Sequence, residues 1–128
     1  MTTSTAQSPA ITEKSAATLS KAVVNAAREL GTSQAVIADI LGVSEATASR
    51  LFSGNYQLNP ARKYEWEFAL LFVRIYRSLV AIVGAGESAR MWLHGENMGL
   101  AGKPIELIRT AQGLIRVLEY LDSYRGRI

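Results

Sequence analysis

Residues 61–83 read ARKYEWEFALLFVRIYRSLVAIV, and this stretch limits the possible folds more than any other. From Phe68 to Val83 only Arg74, Arg77 and Ser78 interrupt an apolar run. A membrane span needs about 20 nearly uncharged apolar residues, so a shorter run holding arginines argues against one. Lys63, Glu67, Arg74, Arg77 and Ser78 follow three- and four-residue steps, which is one stripe of a helix. The remaining circumference is apolar: Tyr64, Phe68, Leu71, Phe72, Ile75, Leu79 and Ile82, with Trp66, Val73, Tyr76, Val80 and Val83 beside them. One small neighbour cannot cover so wide a surface. The stretch predicts a central helix packed on two sides, or against a second copy of the chain.

The 128 residues suffice for one compact domain or two small modules sharing a core. With 48% apolar and 20% charged residues the composition is that of a globular chain. The absence of cysteine removes disulfides, thiolate metal sites and thiol nucleophiles. A single histidine, His94, rules out a multi-histidine site, so neither metal nor cofactor is expected. The net charge of +3 is compatible with nucleic acid as a partner without requiring it. The first ten residues, MTTSTAQSPA, are small and polar and lack a basic n-region before an apolar core. They are expected to be a loosely ordered tail on a cytoplasmic protein.

Helix one is expected from about Thr12 to Leu30, where Leu19, Val23, Ala26, Ala27 and Leu30 recur at helical spacing and Gly31 suits the left-handed end. A short helix, Gln34 to Leu41, follows with Ser33 as cap. Gly42-Val43-Ser44 then leads into another, Glu45 to about Ser53, capped by Ser44 and ended by Gly54-Asn55. Two short helices joined by a three-residue turn with a leading glycine form a helix-turn-helix. Ile37, Leu41, Val43 and Leu51 fall where the motif needs apolar contacts, and Ala38 where a larger side chain would clash. Ala48 is smaller than the branched residue usual at its position. The second helix would enter a major groove. It would present Glu45, Ala46, Thr47, Ser49 and Arg50, with Arg50 suited to guanine or phosphate. Ser33, Gln34 and Ser44 sit at helix N-termini, where free N–H groups suit phosphate. Asn59-Pro60 is expected to open the central helix, as cap and first residue.

Beyond the central helix, Gly84-Ala85-Gly86 predicts a helix end and a turn. The sequence GAGES lacks the lysine and the preceding strand of a phosphate-binding loop. A helix from Glu87 to about His94 would turn Ala89, Trp92 and Leu93 inward. His94 would serve the C-terminal dipole of its helix rather than act as a base. A compact turn, ENMGLAGKP, leads to a short helix from Pro104 to about Arg109. Thr110 then caps a last helix, about Ala111 to Tyr124, with Leu114, Val117, Leu118 and Leu121 as its apolar stripe.

The C-terminal third, SARMWLHGENMGLAGKPIELIRTAQGLIRVLEYL, resembles the toxin-binding domain of the Xre/MbcA/ParS-like antitoxins, partners of RES-domain toxins. The resemblance rests on Ala89 followed by Trp92-Leu93, Asn97 three residues before Leu100, Gly102 before Pro104, then Glu106-Leu107-Ile108, Thr110, Gly113, Val117 and Leu121. Lys103 stands where threonine is frequent, and Ala111-Gln112 where an acidic pair is frequent. The same family places an Xre-type helix-turn-helix N-terminal to this domain.

The resemblance implies an all-α chain: a flexible tail at 1–10, a helix-turn-helix bundle over 11–59, a long central helix over 60–83 shared by both modules, and a small toxin-binding domain over 84–128. It implies an antitoxin that is not an enzyme. Such an antitoxin blocks the active site of an NAD-consuming RES toxin, represses its own operon through operator DNA, and forms a homodimer within a larger complex. The candidate toxin contacts are Trp92, Asn97, Gly102, Lys103, Pro104, Thr110, Arg125, Arg127 and Ile128. The last helices and the basic tail are expected to project from the body, where Arg125 or Arg127 could take an anion position in the toxin cleft. Trp66, Val73 and Tyr76 are the candidate dimer contact. The alternative is a helix-turn-helix regulator whose C-terminal domain dimerises or binds a ligand, with no toxin.

Overall fold

The computed structural model describes residues 9–125. Most of the expected N-terminal tail, together with Arg127 and Ile128, lies outside the described residues. Among those described, seven helices follow one another: α1 Pro9–Leu30, α2 Gln34–Leu41, α3 Glu45–Ser53, α4 Lys63–Val83, α5 Glu87–His94, α6 Pro104–Leu107 and α7 Ala111–Arg125. The expected all-α class holds, with an isolated antiparallel bridge between Asn97 and Gly102. No single helix among the described residues is long and apolar enough to cross a membrane.

The ends of α2 and α3 fall where local capping chemistry puts them. Ser33 Oγ accepts the Val36 N–H at 3.2 Å, and Ser44 Oγ accepts the Thr47 N–H at 3.0 Å. Each satisfies a donor that the first helical turn leaves free. Gly42 closes α2 at φ 73°, a conformation that costs a side-chain-bearing residue about 1–2 kcal/mol. Its N–H and that of Val43 both donate to the Ala38 carbonyl, at 2.9 and 3.0 Å. Ile37, Ala38, Leu41, Ala48 and Leu51 are all buried between the two helices and their neighbours.

Helix α4 is the common wall of the fold, packed against α1, α2, α5 and α7. Phe72, Ile75 and Leu79 are fully buried along it. Its start departs from expectation. Asn59 Oδ1 accepts the Ala61 N–H at 2.8 Å and the Asn59 carbonyl accepts the Arg62 N–H at 3.0 Å, so Asn59-Pro60 makes a turn and α4 begins at Lys63. The cause lies just upstream. Leu58 is fully buried and its N–H donates to Ser20 Oγ on α1 at 2.9 Å, so the chain must turn before the helix can leave.

The polar stripe of α4 also needs correction. Lys63, Glu67, Arg74 and Arg77 are exposed, but Ser78 is fully buried, and Tyr64, expected on the apolar side, is exposed. Glu65 is buried instead. Its carboxylate accepts the Tyr56 hydroxyl at 2.7–2.8 Å and Arg62 Nε at 2.7 Å. Burial first, then the bond to Glu65, holds the Tyr56 phenol above its ordinary pKa of 10.0.

Helix α5 closes onto the end of α1. Arg90 Nη1 donates to the Glu29 carbonyl at 3.0 Å, and His94 Nε2 lies 2.9 Å from the Leu30 carbonyl. Those carbonyls have no intrahelical partner. His94 therefore serves the C-terminus of α1, not that of its own helix. Helix α6 is shorter than expected, ending at Leu107. The corner that follows is tight. A Cβ on Gly113 would stand 1.8 Å from the Leu107 carbonyl oxygen, so only glycine lets α7 pass beneath α6.

Candidate DNA and partner-protein interfaces

Of the seven side chains predicted to meet DNA, Ser44, Thr47 and Arg50 are hydrogen-bonded to one another. Ser44 Oγ donates to Thr47 Oγ1 at 3.0 Å, and Arg50 Nη2 donates to the same hydroxyl at 3.1 Å. This ladder runs along one edge of α3 and holds the guanidinium at the surface. Glu45, Ser49 and Arg50 are exposed, as are Ser33 and Gln34 at the start of α2. Two helix N-termini and one basic side chain thus face outward from one bundle, an arrangement suited to phosphate and base-edge contacts.

The C-terminal candidates divide into supports and surface. Asn97 Oδ1 accepts the Leu100 N–H at 3.0 Å, and its backbone pairs with Gly102 in both directions, at 2.9 and 3.2 Å. Thr110 Oγ1 accepts the Gly113 N–H at 3.1 Å and caps α7. These two side chains shape the turn and the corner. Lys103 is exposed while Pro104 is buried, so the expected exposed Lys103-Pro104 contact reduces to the lysine. Trp92 is half-buried, its ring 6.4 Å from that of Tyr120, which in turn meets Tyr124 edge-on at 5.0 Å.

Projection of the last two helices is corrected as well. Helix α7 lies along α4, held by Leu114, Val117, Leu118 and Leu121. Arg125 Nη1 donates to the buried Ser78 Oγ at 3.0 Å, and Arg74 pairs with Asp122 at 2.8 Å. The arginine reaches back to α4 because a buried hydroxyl there offers it an acceptor.

Sequence reasoning missed several surface side chains. Met98, 97% exposed, stands at the tip of the turn beside Gly99, which lies against the Tyr120 ring. Met91, Ile115 and Tyr124 are exposed on the same domain. Their signal was weak, since each apolar residue also fits a core reading. Arg109 Nε, 2.8 Å from Asp39 on α2, ties the α6–α7 corner to the helix-turn-helix, and no local pattern reveals such a pair.

Comparison with protein families decides what these surfaces belong to. The model of the antitoxin Xre-like helix-turn-helix domain matches residues 9–74, just over half of the chain. The chain belongs to the Xre-type antitoxins. The model of the antitoxin Xre/MbcA/ParS C-terminal toxin-binding domain matches residues 78–127 of the same antitoxin. Comparison with curated proteins gives no match. The antitoxin thus joins a DNA-binding helix-turn-helix to a toxin-binding domain, and its two match regions meet within α4.

Proposed function

We propose that this antitoxin neutralises a RES-domain toxin by covering the cleft in which that toxin consumes NAD. In the same reading it represses its own operon through the helix-turn-helix and is not itself an enzyme. The observation that carries the proposal is the C-terminal toxin-binding match, joined to the residue pattern from Ala89 to Leu121 that resembles the partners of RES toxins. Trp92 and Lys103 would contribute surface, and Asn97, Gly102 and Thr110 would hold the turn in shape. Pro104 would act from within. Arg125 would leave Ser78 to meet an anionic group or a toxin carboxylate, followed by Arg127 and Ile128. Ser33, Gln34, Ser44, Glu45, Thr47, Ser49 and Arg50 would face operator DNA.

We assign 11–59 to the DNA-binding module, 60–83 to a helix serving both, and 84–128 to toxin binding. We also assign the homodimer contact to the groove between α1 and α4, about 640 Å³, which Trp66, Leu70 and Val73 line with Arg74 and Arg77. Tyr76 does not line it. A dimer centred there would bury Leu70, which the single chain leaves exposed.

The test is direct. A RES-domain toxin is incubated with NAD, with and without an equimolar amount of the antitoxin, and NAD loss is followed. Protection of NAD is the expected result. Undiminished NAD loss, together with no complex by size-exclusion chromatography, overturns the RES assignment.

A further inference from the structure

A second polar surface adjoins the helix-turn-helix, on α1 rather than on α2 or α3. Lys21, Asn25 and Arg28 fall at i, i+4 and i+7, one face of a helix, and all three are exposed. They border a cleft of about 460 Å³ whose opposite wall is Phe52 and Gly54, at the end of α3. Arg28 is poised over the Phe52 ring, with Cζ 6.0 Å from the ring centroid. Such stacking holds a guanidinium in place while leaving its in-plane N–H groups available.

The charge in this cleft is of one sign. Among the described residues no acidic side chain lines it, and neither Lys21 nor Arg28 forms an ion pair. Four other arginines, Arg62, Arg74, Arg90 and Arg109, each meet a carboxylate. Two cations left unneutralised beside an amide suit an anion brought from outside.

The position of the cleft selects the anion. Helix α3 has nine residues, a length of about 13 Å at 1.5 Å per residue. The major groove is about 8.5 Å deep. A helix that meets base edges with its first residues therefore has its far end at or beyond the phosphates that border the groove. We propose that the cleft between α1 and the end of α3 seats DNA backbone phosphates, held by Lys21 and Arg28 with Asn25 as a neutral donor. The inference rests on the DNA-binding reading of the helix-turn-helix and adds a face of α1 to it. Contacts of this kind fix register on the duplex without reading sequence.

The experiment compares wild type, the double variant Lys21→Ala/Arg28→Ala, and Arg50→Ala, using a random-sequence duplex across a salt series. Each phosphate neutralised contributes about 0.9 to the slope of log affinity against log salt. The double variant is expected to flatten that slope by about 1.8 and to weaken binding to every sequence alike. Both substitutions are at exposed positions, and an unchanged circular-dichroism melt verifies the fold. An unchanged slope with normal wild-type binding overturns the cleft while leaving the DNA-binding reading intact. Absence of DNA binding by the wild type overturns both. A changed sedimentation coefficient with an unchanged slope marks the cleft as a protein contact and also overturns the proposal.

Discussion

The two ends of this antitoxin present different surfaces. In the helix-turn-helix half, residues 13–62 expose no large apolar side chain, and Arg50, Lys21 and Arg28 stand at the surface. Among the residues whose burial is described, the exposed large apolar side chains lie from Tyr64 onward, and Met91, Met98, Ile115 and Tyr124 are on the toxin-binding half. The difference follows the chemistry of the partners. DNA offers phosphates and polar base edges, which cations and hydroxyls meet. A protein surface offers apolar patches, which methionine and aromatic side chains fill. One helix, α4, supports both surfaces because it carries buried residues toward each half.

The substitution with the largest expected effect tests that shared support. Phe72→Ala empties a fully buried position on α4 and should cost about 3–5 kcal/mol, read as a lower urea midpoint. Toxin and DNA binding should be lost together, and loss of only one would break the idea of a common core. Gly113→Ala comes next. Its methyl would meet the Leu107 carbonyl, and forcing the corner apart should cost about 3 kcal/mol. Here the toxin complex should weaken while the folded fraction still binds DNA, as gel shift and calorimetry would report.

Met98→Asp sharpens the comparison at the surface. At 97% exposure the side chain supports nothing in the fold, so stability should stay within about 0.5 kcal/mol. Toxin affinity should fall by about 1–2 kcal/mol with DNA affinity unchanged. Equal affinity for toxin would remove Met98 from the interface. The smallest effect belongs to Ser44→Ala, which removes the acceptor for the Thr47 N–H and should cost about 1 kcal/mol of stability, read as a lower urea midpoint. DNA binding should suffer more than toxin binding, because the lost cap loosens only the start of α3.

Much of the helix-turn-helix was legible from its residues. The bounds of α2 follow from Ser33 and Gly42, and those of α3 from Ser44 and Gly54, because caps act within three or four residues of chain. The stripe on α7 was equally plain, since Leu114, Val117, Leu118 and Leu121 repeat at helical spacing and all are buried. Polar residues with distant partners were not legible. Glu65 and Ser78 each sit at positions whose spacing allowed either face, and a partner outside the helix decided between them. Asn59-Pro60 carried a good local signal for a helix start, and a buried neighbour, Leu58, overrode it.

The sequence alone determined the all-α class, the order of the helices and the polar face of α3, because capping and periodicity are short-range. Tertiary structure alone decided where the long side chains went. His94 reaches Leu30, Arg125 reaches Ser78 and Arg109 reaches Asp39, across separations of 64, 47 and 70 residues. No local pattern encodes such contacts. They exist because packing brings a helix end, a buried hydroxyl or a carboxylate within about 3 Å of a donor, the distance at which a hydrogen bond forms.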